Sequence, residues 1–209
     1  MKRVIVFAAA AVLLFFGRSE AAVLTLHFQN ITHTSAATAE IGESQLFLEV
    51  SNVYPDEVLF TFKNVGIHES VISEIYFDDS SVLGGITSIV NNSTEVIFIE
   101  GANPPELPGA NLVNPVFETT TGFLAQASSP ANKRGVSPGE QVGIKFNFED
   151  GKSYQDVIDA ILNGSLRVGM HVSGFYNGDS EAFVNEVPEP ATIALLGLGA
   201  LVLIRKRKP

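Results

Sequence analysis

The chain has 209 residues, no cysteine and a formal net charge of −10. Without cysteine there is no disulfide framework, thiolate nucleophile or cysteine-based metal site. Seven of the 13 basic residues lie at the two ends, so the acidity concentrates in the middle and argues against a nucleic-acid partner.

The first segment is a targeting element. Lys2 and Arg3 precede an apolar run from Val4 to Gly17, and small residues stand at Ser19 and Ala21. A positive start, a short apolar stretch and a small-x-small site predict a signal peptide over residues 1–21, cleaved after Ala21. The run falls short of the ~20 residues a comfortable membrane span needs. Residues 22–186 then suit one domain with a core of its own.

In that domain the hydrophobic pattern has period two. Leu24, Leu26 and Phe28 alternate with Thr25 and His27; Leu46, Leu48 and Val50 alternate with Phe47 and Glu49. The same holds for Val58, Phe60 and Phe62, for Val142, Ile144, Phe146 and Phe148, and for Leu166, Val168, Met170 and Val172. Such alternation predicts half-buried strands. The more continuously apolar stretches Val71 to Phe77 and Val96 to Ile99 predict central strands. Turn signals punctuate the pattern at Asn52 to Pro55, Gly84-Gly85, Asn91-Asn92, Pro104-Pro105, Pro108-Gly109, Pro138-Gly139 and Asp150-Gly151. The stretch Gly101 to Ser137 predicts long loops around weak strands near Val116 and Phe123. One helix is predicted over Ser153 to Leu162. Ser153 and Asp156 form a capping-box pattern, and Gly164 is placed as the stop. Its apolar stripe is Tyr154, Val157, Ile158, Ile161 and Leu162. The fold class expected is mainly β, an antiparallel β-sandwich with one principal helix that closes one end or crosses between the sheets.

Residues for chemistry are sparse. His27, His33, His68 and His171 do not pair at metal-ligand spacing, and Ser173-Gly174 lies outside any G-x-S-x-G elbow. Asp78-Asp79, Glu149-Asp150-Gly151 and the pair Asp179 and Glu181 are acidic turns without the spacing of a calcium loop. Two carboxylates suffice for glycoside hydrolysis, but tryptophan is absent and the tyrosines are four: Tyr54, Tyr76, Tyr154 and Tyr176. The sequons at Asn30, Asn91, Asn92 and Asn163 read as polar turns. The sequence therefore predicts no catalytic residue, no metal site, no cofactor and no enzyme. A deep pocket with converging polar groups would favour an enzyme instead; a shallow groove with Tyr54 or Tyr176 exposed would favour a carbohydrate- or calcium-binding surface module.

The C-terminus, residues 187–209, is the most specific part. Val187-Pro188-Glu189-Pro190 precedes an apolar stretch over 191–204, and Arg205-Lys206-Arg207-Lys208 follows. The apolar stretch predicts a short transmembrane helix, and the basic cluster predicts its cytoplasmic end. Pro188 and Pro190 disfavour helix just before it. These features resemble the PEP-CTERM sorting signal. The resemblance implies that Pro188, Glu189 and Pro190 are recognised by an exosortase-like membrane processing enzyme, and that Arg205, Lys206, Arg207 and Lys208 act as its basic stop signal. It also implies a protein anchored transiently in the inner membrane of a Gram-negative bacterium, then delivered to the cell surface or the extracellular matrix, with exopolysaccharide as a possible partner. The stretches Gly151 to Val157, Arg167 to Val172 and Ser180 to Asn185 are similar to the terminal part of other cargo domains with this signal.

Overall fold

The computed structural model describes residues 23–187. The expected signal peptide (1–21), the sorting residues Pro188, Glu189 and Pro190, the helix 191–204 and the cluster Arg205 to Lys208 lie outside the described residues. Within them the chain is mainly β.

Ten strands are described: β1 Leu24–Asn30, β2 Leu46–Val53, β3 Glu57–Asn64, β4 Val71–Asp79, β5 Leu83–Asn91, β6 Phe98–Glu100, β7 Leu124–Ala127, β8 Gln141–Phe148, β9 Leu166–Ser173 and β10 Glu181–Asn185. All neighbours are antiparallel, in the order β5-β8-β3-β2-β1-β10-β9-β4-β7-β6. The alternation explains the pairing. Leu46, Leu48 and Val50 of β2 meet Asn64, Phe62 and Phe60 of β3 in register, and β3 meets Val142, Ile144 and Phe146 of β8. A shift by one residue would turn every one of these side chains outward.

Two separate sheets are what the sequence predicts; the strands form one continuous sheet. The reason is β1. Leu24 to His27 pair with β2, and Phe28 to Asn30 pair with β10. The strand thus belongs to both halves of the sheet, which curls over so that its halves face each other. Phe77 of β4 lies 5.1 Å from Phe60 and 4.7 Å from Phe146 between ring centroids, edge to face, across that core. At the far end the Asn91 side chain accepts from the Phe98 N–H at 2.8 Å, drawing β5 towards β6. The sheet is therefore nearly closed.

Three α-helices are described: α1 Ala36–Gln45, α2 Ala131–Arg134 and α3 Tyr154–Asn163. The expected helix is α3, and it carries the chain from β8 in one half to β9 in the other. Both bonds of its capping box form: Ser153 N–H donates to Asp156 Oδ2 at 2.9 Å, and Asp156 N–H donates to Ser153 Oγ. Gly164 stops it at φ +79°, a left-handed conformation that costs glycine little. The buried stripe is Val157, Ala160 and Ile161, with Leu162 turned outward at 40% exposure.

A second helix of equal length, α1, corrects the expectation of one principal helix. It buries Thr38, Gly42 and Gln45, so no apolar stripe marks it. Gly42 is there for space: a Cβ would stand 2.1 Å from Phe183 Cζ of β10. The run Val96 to Ile99 holds β6, the last strand in the order and not a central one. Its apolarity reflects burial of Val96 and Phe98. Gly84-Gly85 lies inside β5 at a bulge and does not end a strand. The loop region is extensive as expected, with a 3-10 turn at Ala110–Leu112 and β7 after Phe123, while Val116 is exposed loop. By contrast β4 is central, between β9 and β7. It is apolar on both faces because Ile75 and Phe77 enter the main core, and Tyr76 enters a second small core with Leu107, Phe117 and Leu124.

Candidate functional site

The junction between the domain and its C-terminal tail is built from β10. All five residues of this strand are buried. Phe183 points into the main core, while Ala182 and Val184 join the second core with Ile31, Leu107 and Phe117. Asn185 ends the strand by substitution: its Oδ1 accepts the N–H of Val168 at 2.7 Å, a side chain standing where a backbone carbonyl would serve. Glu186 N–H then donates to the His27 carbonyl at 3.0 Å. Val187 packs against Gly164 at the end of α3. A shallow groove of about 450 Å³ opens here, lined among others by Gln29, Val113, Arg167, Val184 and Val187. Arg167 pins the loop above it, donating to the carbonyls of Pro115 at 2.7 Å and Val116 at 2.6 Å, pairing with Asp78, and lying 5.3 Å over the Phe117 ring.

The start of β10 is fixed by Glu181, only 1% exposed. Its carboxylate accepts from Thr32 Oγ1 at 2.5 Å, Thr38 Oγ1 at 2.7 Å, Asn30 Nδ2 at 3.0 Å, and the N–H groups of Thr34 and Ser35 at 3.1 and 2.8 Å. Burial alone would raise its pKa. The donated hydrogen bonds of Thr32, Thr38, Asn30 and Ser35 outweigh it and hold the group at about 2. Because Ser35 is the N-cap of α1, this carboxylate also lies at the positive end of that helix. Glu181 thus ties the last strand to the first loop and first helix. Its value could not be read from the chain, because its partners lie more than 140 residues away.

The other residues singled out in the sequence are dispersed. His27 is exposed on β1 and meets the Phe47 ring edge-on at 4.8 Å. His33 adopts φ +51° and donates its backbone N–H to Asn30 Oδ1 at 2.7 Å. His68 engages Gln45 through its backbone. His171 Nδ1 lies 2.6 Å from Glu74 Oε2 on the outward face of β9 and β4, a pair that sequence spacing could not reveal. Nearby, Ser173 Oγ is 2.5 Å from Ser73 Oγ. Asp79 accepts the N–H groups of Val82 and Leu83 in a turn, and Asp179 bonds Asn177. Among the described residues, no three His, Asp or Glu side chains are grouped as a metal ion would need. Tyr54 and Tyr176 are 90% and 64% exposed. A groove of about 640 Å³ is open and shallow, walled by loop residues that include Pro104, Leu107, Val116 and Phe117.

No described helix is long and apolar enough to cross a membrane. No curated protein and no solved structure matches the chain. A family model, the PEP-CTERM protein-sorting motif, matches residues 186–208, beginning at the residue whose N–H makes the last bond to β1. The β domain thus runs without a spacer into a PEP-CTERM protein-sorting motif, which marks an exported protein sorted through an exosortase.

Proposed function

We propose that this β domain is a non-catalytic structural protein of the cell surface or exopolysaccharide-rich extracellular matrix. An exosortase reads Pro188, Glu189 and Pro190, the helix over 191–204 anchors the chain meanwhile, and Arg205 to Lys208 hold its cytoplasmic end. Cleavage near the motif frees the domain. The observation that carries this reading is the junction, where a nearly closed β domain ends at Asn185 and the matched motif begins at residue 186. The engagement of its polar side chains supports a structural role: Glu181 is a clamp, Asp79 a turn cap, and Arg167 a pin for a loop.

Exposure of Tyr54 and Tyr176 favours a second reading, a carbohydrate-binding surface module, since exposed tyrosine rings stack on sugars. The decisive experiment uses the full chain in its host. Wild-type protein is expected in the matrix fraction, and the variant with Pro188-Glu189-Pro190 replaced by alanines is expected uncut in the membrane fraction. Equal release of both would overturn the sorting reading. The released domain should turn over no glycoside, ester or peptide; turnover abolished by His171→Ala would replace the structural role with an enzymatic one.

A further inference from the structure

The end of the domain from which the tail leaves carries an uncharged apolar rim. The groove beside Val187 is walled by apolar side chains, Ile31, Val113, Pro115 and Val184 among them. Only two of its lining residues are charged, Arg167 and Glu186. Arg167 is already committed to Asp78 and to two loop carbonyls, and only 11% of its side chain is exposed. Leu112, Val116 and Leu162 adjoin the lining residues Val113, Pro115 and Asn163 in the chain. Leu112 is 60% exposed, Val116 49%, and Leu162 and Val187 40% each. The stretches 111–116 and 162–166 that carry the first three hold no charge, in a chain whose net charge is −10. Four large apolar side chains gathered around one groove, on an otherwise acidic molecule, mark a contact surface.

The position of this face identifies its occupant. Val187 is the last described residue, and the apolar stretch 191–204 begins four residues further on. Four fully extended residues reach at most about 14 Å. On the sorting reading that stretch sits in the bilayer, beneath a headgroup layer about 5–8 Å deep. The tether therefore holds Val187 within about 10 Å of the headgroups. The other end of the domain is carried away from them. The eight residues of β9, Leu166–Ser173, separate the α3 end from the Tyr176 loop by about 23 Å. A few exposed apolar side chains bind a membrane weakly on their own. A tether this short makes the contact intramolecular, so weak binding is enough. The exposed carboxylate of Glu186 at the rim disfavours an anionic lipid surface and selects a neutral one.

We propose that the face around this groove rests on the headgroups of a neutral lipid surface while the chain is anchored, with Leu112, Val116, Leu162 and Val187 as its contacts. The choice of lipid as occupant rests on the sorting reading, which places the bilayer next to Val187. The contact orients the domain, keeping its tail junction against the membrane and its Tyr176 loop outward. Cleavage of the tail removes the tether, and with it the advantage that makes so weak a contact sufficient.

The chain holds no tryptophan, so one introduced indole reports alone. The test places the full chain in vesicles of phosphatidylcholine brominated near the glycerol end of its acyl chains, where bromine quenches a nearby indole. Leu162→Trp and Val116→Trp, both at exposed positions, should each lose about twofold or more of their fluorescence relative to unbrominated vesicles. Tyr176→Trp, at the far end, should lose none. Unquenched indoles at 162 and 116 in an anchored chain would overturn the proposal, and so would equal quenching at 176. Shielding of the two indoles that arises only when the processing enzyme is reconstituted beside the chain would assign the face to that enzyme and overturn it as well. Carbonate extraction scores the anchor separately. A chain that carbonate removes from the vesicles takes down the sorting reading and the lipid contact together; a resistant chain with unquenched indoles takes down the contact alone.

Discussion

Glu181 shows what a single residue contributes and where sequence reading stops. Paired with Asp179 in the sequence, it reads only as an acidic turn without the spacing of a calcium loop. In the fold it is a buried anion surrounded by donors from Asn30 to Thr38. Its pKa is held at about 2, against an ordinary 4.5. Because the folded value is depressed, the stabilisation is present in full above about pH 4.5 and lost as pH falls from there towards 2. Urea melts should therefore show wild-type stability dropping through that window. Glu181→Gln should lower stability at pH 7 by on the order of 3 kcal/mol, because its amide turns a donor towards other donors. It should also flatten the acid limb. A variant as stable as wild type at pH 7 would show that the clamp adds nothing. The buried apolar residues were easier: Leu46, Leu48, Phe60, Phe62, Ile144, Phe146, Val168 and Met170 stand out by alternation, and all are 0% exposed.

At the scale of elements, legibility follows the kind of surface buried. Helix α3 announces itself because it has a cap, a stripe and a glycine stop. Helix α1 does not, because its contacts are a threonine under a carboxylate, a glycine against a ring, and a glutamine bonded to Ser70 at 2.6 Å. Polar burial has no periodic signature. Gly84-Gly85 misleads for a related reason: a bulge and a turn use the same residue. For α3 two outcomes are expected in thermal or urea melts. Ser153→Ala removes the Ser153 Oγ acceptor of the Asp156 N–H, leaves the backbone half of the box in place, and should cost about 1 kcal/mol. Gly164→Ala places a Cβ in a left-handed conformation, 3.3 Å from Val187 Cγ2, and should cost about 1 kcal/mol or more. Neutral effects at both positions would mean that the helix is held by packing alone.

For the molecule as a whole, the mainly antiparallel architecture was legible, but the single curled sheet was not, because nothing local in β1 declares that it pairs with two different partners. Phe77 projects from β4 in one half onto the rings of β3 and β8 in the other, at 5.1 Å from Phe60, 6.1 Å from Phe62 and 4.7 Å from Phe146. Phe77→Ala should therefore cost about 3–5 kcal/mol in a single cooperative transition. Two separated transitions in that variant would show that the halves fold independently. The position of β10 carries one more consequence, for timing. The last strand of the domain sits mid-sheet, between the first strand and β9. A chain threaded through an export channel from its N-terminus can pair β2, β3, β5 and β8 as they emerge, but the bridge between the halves is missing until residue 185 has crossed. Such long-range closure is slow. By then the next residues in the channel are those of the motif itself, so completion of the fold and arrival of the sorting motif are consecutive events on one moving chain.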